Sequence, residues 1–139
     1  MNKDFFITIS KKDFCNNIEN IIKKTGKSIA PVIKSNAYGH GAKEIIKILI
    51  DTPSIDRVCV TYTSEADKIK KYGWKKQIMI MSPSTVSAPQ PEYEYFLYSF
   101  AFLKKLLKKK GVYKVHIKIN VGLHRLGFEP AEIDTLVEE

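Results

Sequence analysis

Residues 29–41 read IAPVIKSNAYGHG, and this stretch decides the fold. It begins as a short apolar run with β-branched residues, which is typical of a buried strand, and the run ends on Lys34. Gly39 and Gly41 then predict a turn, and the apolar spacing that follows predicts a helix over 42–50. We expect the first amides of that helix to face the same side as Lys34.

A strand, an amine, a glycine turn and a helix N-terminus together suit a ligand that carries both an aldehyde and a phosphate. An amine that forms a Schiff base must be partly desolvated, and a phosphate suits a helix N-terminus or nearby hydroxyls. A lysine whose charged end merely reaches water from a strand end would show the same spacing. The spacing alone therefore leaves both interpretations of Lys34 open.

Predicted strands alternate with predicted helices along the rest of the chain. Strands are predicted over 5–9, 29–34, 57–62, 77–81, 95–98 and 112–119. Helices are predicted from the Ser10 cap to the Thr25-Gly26 stop, over 42–50, from 64 to about 72, over 100–110 and from Pro130 onward. Residues 82–91 contain three prolines and no helical period, and we predict a loop there. This alternation predicts an α/β fold with a parallel sheet of about five β/α units.

The length and composition indicate one ordinary soluble domain. The chain has 139 residues, 44% hydrophobic and 27% charged, and a closed (β/α)8 barrel usually needs roughly 250 residues. No apolar run approaches the roughly 20 residues of a membrane helix, and the N-terminus lacks a signal peptide pattern. We expect a cytoplasmic protein with no membrane partner, whose Cys15 and Cys59 are buried thiols and not a disulfide.

The formal net charge of +8 raises the question of nucleic-acid binding. No helix-turn-helix pattern and no aromatic-interleaved basic platform accompanies the lysines, so we predict no nucleic-acid partner. Solvated helix faces explain most of the excess, at Lys11, Lys12, Lys23, Lys24, Lys68, Lys70, Lys71, Lys104, Lys105 and Lys108–Lys110.

Two separated segments resemble the alanine racemases. The segment 32–41, VIKSNAYGHG, resembles the lysine motif that binds pyridoxal 5'-phosphate in that family, and 115–128, VHIKINVGLHRLGF, resembles its strand and loop with a cofactor-contacting arginine. The resemblance implies a partial (β/α)8 TIM-type barrel. Residues 1–139 would form an incomplete N-terminal barrel domain that binds pyridoxal 5'-phosphate, with the C-terminal β domain of the family absent.

The resemblance also assigns roles to individual side chains. It implies that Lys34 holds the cofactor and then acts as one of two bases at the substrate α-carbon. Tyr38 would donate its hydroxyl to the cofactor phosphate, although a ring packed over the turn is the plain alternative. Arg125 would contact the cofactor ring oxygen and help to hold the substrate carboxylate. Without the surrounding motif, Arg125 would be interpreted as an ordinary arginine of a surface loop.

The role of Lys118 depends on whether its side chain is modified. An unmodified lysine beside Arg125 inside a barrel is unfavourable, and many family members carbamylate the corresponding lysine into an anion that orients the arginine. We carry that modification over to Lys118 as a hypothesis, with an unmodified lysine as the alternative. His40 lies between two glycines at a helix start and is expected to be structural. Asn120 and Val121 depart from the acidic residue and threonine common in the family.

The implied function is an alanine racemase, an isomerase that interconverts L-alanine and D-alanine for the cell wall. Racemisation with two bases needs groups on both faces of the substrate carbanion, and the family's opposite base is a tyrosine of the partner subunit's C-terminal domain. No tyrosine here matches that motif. The alternative is a truncated or split remnant that binds pyridoxal 5'-phosphate without turnover. A homodimer or a complementing C-terminal fragment is the expected partner, alanine is the expected substrate, and no metal is expected.

Overall fold

The computed structural model of the chain describes residues 6–82 and 88–138. The helices are α1 (Lys11–Thr25), α2 (Ala42–Ile50), α3 (Thr63–Lys71), α4 (Phe100–Leu107), a 3-10 turn (Pro130–Glu132) and α5 (Ile133–Glu138). The strands are β1 (Arg57–Val60), β2 (Gln77–Ile80), β3 (Glu94–Leu97) and β4 (Lys114–Ile117). No helix in these two ranges is both long enough and apolar enough to cross a membrane.

The four strands form one parallel sheet in the order β1-β2-β3-β4. Strands that neighbour each other in the chain therefore neighbour each other in the sheet, as the first strands of a (β/α)8 barrel do. An isolated parallel bridge from Val32 to Cys59 extends the sheet beyond β1, and another joins Ile119 to Phe128 after β4. This open part of a barrel confirms the predicted fold class.

The helix ends follow the local signals in the sequence. Ser10 precedes α1, and its Oγ accepts a hydrogen bond from the Asp13 amide at 3.2 Å. Gly26 ends α1 in the left-handed conformation (φ 63°), which costs glycine little because it has no Cβ. Ser99 caps α4 by accepting from the Phe102 amide at 3.3 Å. These bonds satisfy amides that have no partner within a helix.

The hydrophobic core lies between the outer face of the sheet and the helices that cover it. Ile46 and Leu49 of α2 are fully buried, as are Val58 and Val60 of β1. Trp74 follows α3, is 2% exposed, and donates its indole N–H to the carbonyl of Gln77 at 3.1 Å. This layer supports the strand ends from which the candidate site is built.

The first two predicted strands are the main corrections. The described part of the first, 6–9, forms no strand, and Phe6 and Ile7 are 87% and 64% exposed because no neighbouring strand pairs with them. The strand predicted over 29–34 is reduced to the Val32 bridge. Pro31 has no amide to donate, and the backbone turns away at Lys34, so pairing cannot extend in either direction.

The loop predicted over 82–91 forms no helix or strand in its described part, and residues 83–87 lie outside the described residues. Both cysteines are free thiols, Cys15 partly buried and Cys59 buried. Burial raises the pKa of the Cys59 thiol to about 11, which makes it a poor nucleophile at neutral pH. The absence of a disulfide was therefore predicted correctly, although Cys15 is less buried than expected.

The 139-residue chain is expected to self-associate, because β4 presents an edge strand with exposed apolar side chains. Val115 is 39% exposed and Ile117 is 51% exposed, and unpaired parallel strands template further pairing. Ile117→Lys should shift the chain toward monomer in sedimentation velocity. Val112→Lys places the same charge on the 86% exposed Val112, which lies before the strand, and serves as the control. A monodisperse, cooperatively unfolding monomer of the unmodified chain would contradict the prediction.

Candidate active site

The segment Lys34–Tyr38 forms a left-handed helical turn, which the sequence did not predict. Ser35, Asn36, Ala37 and Tyr38 have φ between 51° and 55°. Each such residue with a Cβ costs about 1–2 kcal/mol, so the conformation persists only when its surroundings fix it. The left-handed turn redirects the chain from the Val32 bridge and places Lys34 at the edge of the sheet.

Hydrogen bonds of Asn36 and His40 hold this turn in place. Asn36 Oδ1 accepts a hydrogen bond from the Ala42 amide at 2.8 Å, and the Asn36 carbonyl accepts from the Gly41 amide at 3.0 Å. His40 Nδ1 donates to the Ala37 carbonyl at 2.9 Å, which fits the structural role expected of this histidine. The Asn36 side chain thus occupies the first amide of α2. The expectation that the first amides of this helix face the Lys34 side stays a prediction.

Glu65 joins the left-handed turn to the chain that follows β1. Its carboxylate accepts from the Ser35 amide at 2.7 Å, from the Thr61 amide at 2.8 Å and from the Tyr62 amide at 3.2 Å. Sequence reasoning placed Glu65 only in the first turn of a helix. Its position three residues after the N-cap is a capping signal, but nothing in the sequence indicates the contact with Ser35.

An open cavity of about 350 Å³ lies at the carboxyl ends of the strands. Lys34, Lys118 and Arg125, three of the four predicted site residues, all line it. The other lining residues are Thr61, Tyr62, Met81, Ser82, Phe96 and Leu126. In barrels of this architecture the carboxyl ends of the strands carry the catalytic groups.

Side-chain alternation explains why Lys118 points into this cavity. Cys59 and Met79 form a sulfur contact of 3.6 Å on the inner face of the sheet. Positions two residues further along each strand keep the same face, which brings Thr61 and Met81 to the cavity. Lys118 likewise lies two residues after the inner-facing His116, so its side chain keeps the inner face and reaches the cavity.

Tyr38 lies beside Lys34 but outside that cavity. Its ring centroid is 5.8 Å from Lys34 Nζ, and its side chain is 60% exposed. The ring lines a neighbouring, largely apolar cavity of about 290 Å³ with Val32 and His40 among its walls. Neither role predicted for Tyr38 is tested by this arrangement, and contact between its hydroxyl and a phosphate stays a prediction.

The loop that carries Arg125 is organised by Asn120, whose side chain is buried. Asn120 Nδ2 donates to Glu129 Oε1 at 2.6 Å and to His124 Nδ1 at 2.8 Å. Its Oδ1 accepts from the amides of His124 at 2.9 Å and Gly122 at 3.2 Å. One amide group thus fixes both sides of the loop, whose tip brings Arg125 to the cavity. The sequence marked Asn120 as a departure but did not predict this role.

A charged cluster that the sequence did not predict lies on the inner face near the start of the strands. Glu94 of β3 is 4% exposed and accepts from His116 Nε2 of β4 at 2.8 Å and from Arg57 Nη1 of β1 at 3.4 Å. A buried carboxylate needs such partners. The cluster connects three strands on the same inner face that leads to Lys118.

The electrostatics of the cavity favour an anionic ligand. Lys34, Lys118 and Arg125 contribute cationic groups, and no acidic side chain among the described residues lines the cavity. Within the described part of the chain, no group of three His, Cys, Asp or Glu residues is arranged to hold a metal ion. A small molecule with several negative charges fits this setting better than a cation does.

Comparison with known sequences matches residues 9–139 to the family model described as "Alanine racemase, N-terminal domain". The chain belongs to the alanine racemase family. The alanine racemase of Clostridium perfringens (strain ATCC 13124) is 35% identical over 126 residues, covering 84% of this chain and 32% of the relative. That of Aquifex pyrophilus is 32% identical over 125 residues, covering 88% and 36%. The chain therefore spans about a third of the length of these relatives.

Solved alanine racemases share the fold. The structure from Oenococcus oeni superposes with a TM-score of 0.80 at 28% identity, covering 93% of this chain and 41% of that one. The structure from Bacillus anthracis, solved with bound L-Ala-P, gives a TM-score of 0.75 at 24% identity over 92% and 36%. These neighbours support the interpretation of the open sheet as part of an alanine racemase barrel.

Proposed function

We propose that this chain is the cofactor-binding part of an alanine racemase, an isomerase that interconverts L-alanine and D-alanine for peptidoglycan precursors. One observation carries the proposal. Lys34 comes from one segment and Lys118 and Arg125 from another that is far away in the sequence, yet all three line one cavity at the carboxyl ends of parallel strands. Membership in the alanine racemase family makes alanine the first substrate to test.

The cavity suits pyridoxal 5'-phosphate in size and charge. Its volume of about 350 Å³ falls within the usual range for small-molecule sites, roughly 300–1,000 Å³. The cofactor combines an anionic phosphate with an aldehyde, and the cavity offers the Arg125 guanidinium and the amine of Lys34, a partly buried residue. When bound, the cofactor would supply an electron sink for the charge left on the α-carbon after proton removal.

The side chains of this chain then take separate tasks. Lys34 would join the cofactor aldehyde through its amine with loss of water. Once the substrate amine had displaced it, Lys34 would hold or return the α-proton on one face of the substrate. Arg125 would offer a planar guanidinium to the cofactor ring oxygen and to the substrate carboxylate. Tyr38, whose ring lies next to Lys34 Nζ, would donate its hydroxyl to the phosphate.

Carbamylation of Lys118 would complement Arg125. In this reaction the neutral Lys118 amine adds to carbon dioxide and loses a proton, which leaves an anion in place of a potential cation. The absence of an acidic residue among the described lining residues supports this modification, because Arg125 otherwise has no anionic partner there. A mass increase for carbon dioxide on Lys118, seen in gently handled protein, is the expected signature.

Turnover needs a second base on the opposite face of the substrate, which we propose comes from a partner. The relatives extend well beyond the part matched here. We propose that the second base belongs to a portion that corresponds to the rest of a racemase, in a homodimer or as a complementing C-terminal fragment. The second candidate function is a remnant that binds pyridoxal 5'-phosphate without turnover. Assays for D-alanine with and without such a fragment separate the two.

The binding step is tested by adding pyridoxal 5'-phosphate, reducing with borohydride and locating the adduct by peptide mass spectrometry. We expect the adduct on Lys34, and Lys34→Ala should lower total labelling at least about tenfold because an amine held beside the groups that bind the cofactor outcompetes surface amines. Lys43→Ala removes an exposed amine of α2 and should leave the Lys34 adduct unchanged. Labelling spread evenly over the surface lysines would reject the proposal.

A further inference from the structure

Glu65 makes a set of contacts that none of the roles above uses. Its carboxylate accepts hydrogen bonds from three backbone amides. The Ser35 amide donates to Oε1 at 2.7 Å, and the amides of Thr61 and Tyr62 donate to Oε2 at 2.8 Å and 3.2 Å. Hydrogen bonds to an ionised carboxylate are roughly twice as strong as neutral ones. The two oxygens divide their bonds between two loops, so Glu65 acts as a bridge and not only as a helix cap.

Both loops bridged by Glu65 belong to the candidate site. Ser35 follows Lys34 directly, and its amide is the first in the left-handed turn. Thr61 and Tyr62 line the cavity that Lys34 also lines. The carboxylate therefore connects the peptide between Lys34 and Ser35 to a second segment that lines the same cavity.

The left-handed turn needs contacts from outside itself, and the bond to Glu65 is one of them. Four successive residues, 35–38, have positive φ although none is glycine. Asn36 and His40 fix the end of the turn near α2, through bonds to Ala42 and Ala37. The end next to Lys34 is fixed by Glu65, since its bond to Ser35 ties the start of the turn to α3.

We propose that Glu65 is a positioning residue for Lys34: by holding the Ser35 amide against the loop after β1, it sets the direction from which the Lys34 amine enters the cavity. The proposal rests on the proposed attachment of pyridoxal 5'-phosphate to Lys34. Glu65 touches neither the cofactor nor the substrate and acts through the backbone alone.

Three variants separate positioning from a general effect on the fold. Glu65→Gln keeps the side-chain length but replaces one acceptor oxygen with a donor. Glu65→Asp keeps the charge but is one methylene too short to reach both loops. Asp13→Asn is the matched control, because Asp13 occupies the same third position of α1 and has no contact with the left-handed turn.

Each variant is titrated with pyridoxal 5'-phosphate, and the adduct on Lys34 is quantified after borohydride reduction. Both Glu65 variants should weaken apparent affinity about tenfold, the factor that one lost charge-assisted hydrogen bond gives. Asp13→Asn should stay within about twofold, as an exposed helix-end charge contributes little. Visible circular dichroism is recorded on a parallel sample before borohydride reduction and reports the orientation of the bound chromophore. Its intensity per mole of Lys34 adduct should fall in both Glu65 variants.

The outcomes distinguish this inference from the proposed function. If the unmodified chain gives no Lys34 adduct, the proposed function fails. If it gives the adduct but the Glu65 variants match it in affinity and in dichroism per adduct, the positioning role is overturned. A Glu65 variant that binds less cofactor with unchanged dichroism per adduct also overturns it, because loss of folded protein alone produces that pattern.

Discussion

Gly127→Ala is expected to destabilise the chain by about 3 kcal/mol, combining backbone strain with overpacking. Gly127 has φ +129°, a conformation that residues with a Cβ rarely adopt. An added Cβ would lie 2.9 Å from the Asn120 nitrogen, 2.9 Å from the Lys118 oxygen and 3.0 Å from the Ile119 carbonyl carbon. All three are backbone atoms, so no side chain can move aside to make room.

The surrounding hydrogen bonds prevent the backbone from yielding. The Asn120 amide donates to the Phe128 carbonyl at 2.8 Å, and the Phe128 amide donates to the Lys118 carbonyl at 2.8 Å. Displacing Gly127 would break this pairing, and with it the loop that brings Arg125 to the cavity. Denaturant unfolding should show a lower midpoint, and the Lys34 adduct should decrease because Lys118 and Arg125 line the same cavity.

Gly122→Ala is the matched control within the same loop. Gly122 also has positive φ, at +115°, but nothing lies within 4 Å of its added Cβ. Gly122→Ala should lower the free energy of unfolding only by the added backbone strain, about 1–2 kcal/mol. Equal destabilisation by the two substitutions would contradict the assignment of the larger effect to the close approach of the Lys118–Asn120 backbone.

The regular features were predictable because each depends on local signals. The Ser10 cap, the Gly26 stop and the alternation of apolar strands with amphipathic helices are all written in short stretches of sequence. The parallel sheet then follows, since a helix between two strands returns the chain to the same sheet edge. The resemblance to a known family added Lys34 and Arg125, which the structure brings to one cavity.

The left-handed turn was not predictable from the same rules. Left-handed backbone is expected at glycine, and the sequence indicated Gly39 and Gly41, whereas the structure extends it back to Ser35. Contacts from elsewhere in the chain stabilise that choice, above all the bond from the Ser35 amide to Glu65, 30 residues away. The hydrogen bond from the Ala42 amide to the Asn36 side chain was not predictable for the same reason, because it depends on this turn.

Asn120→Asp is expected to destabilise the chain by about 2–3 kcal/mol at pH 7, although it restores the acidic residue common in the family. Asn120 Nδ2 is 2.6 Å from Glu129 Oε1 and 2.8 Å from His124 Nδ1. An aspartate would replace this donor with an acceptor, which places two carboxylates together and leaves His124 Nδ1 without its donor. Comparison of urea midpoints with the unmodified chain measures the loss.

The sign of the pH dependence tests this explanation. Proximity to Glu129 raises the pKa of the introduced carboxyl in the folded state above its unfolded value, near 4. The penalty is therefore complete above the raised pKa, shrinks as the pH falls through it, and is gone below about pH 4. Adding Glu129→Gln to Asn120→Asp should restore most of the stability at pH 7, because a glutamine amide can donate to the aspartate. A pH-independent deficit that Glu129→Gln leaves unchanged would show that Asn120 acts through packing and not through its hydrogen bond to Glu129.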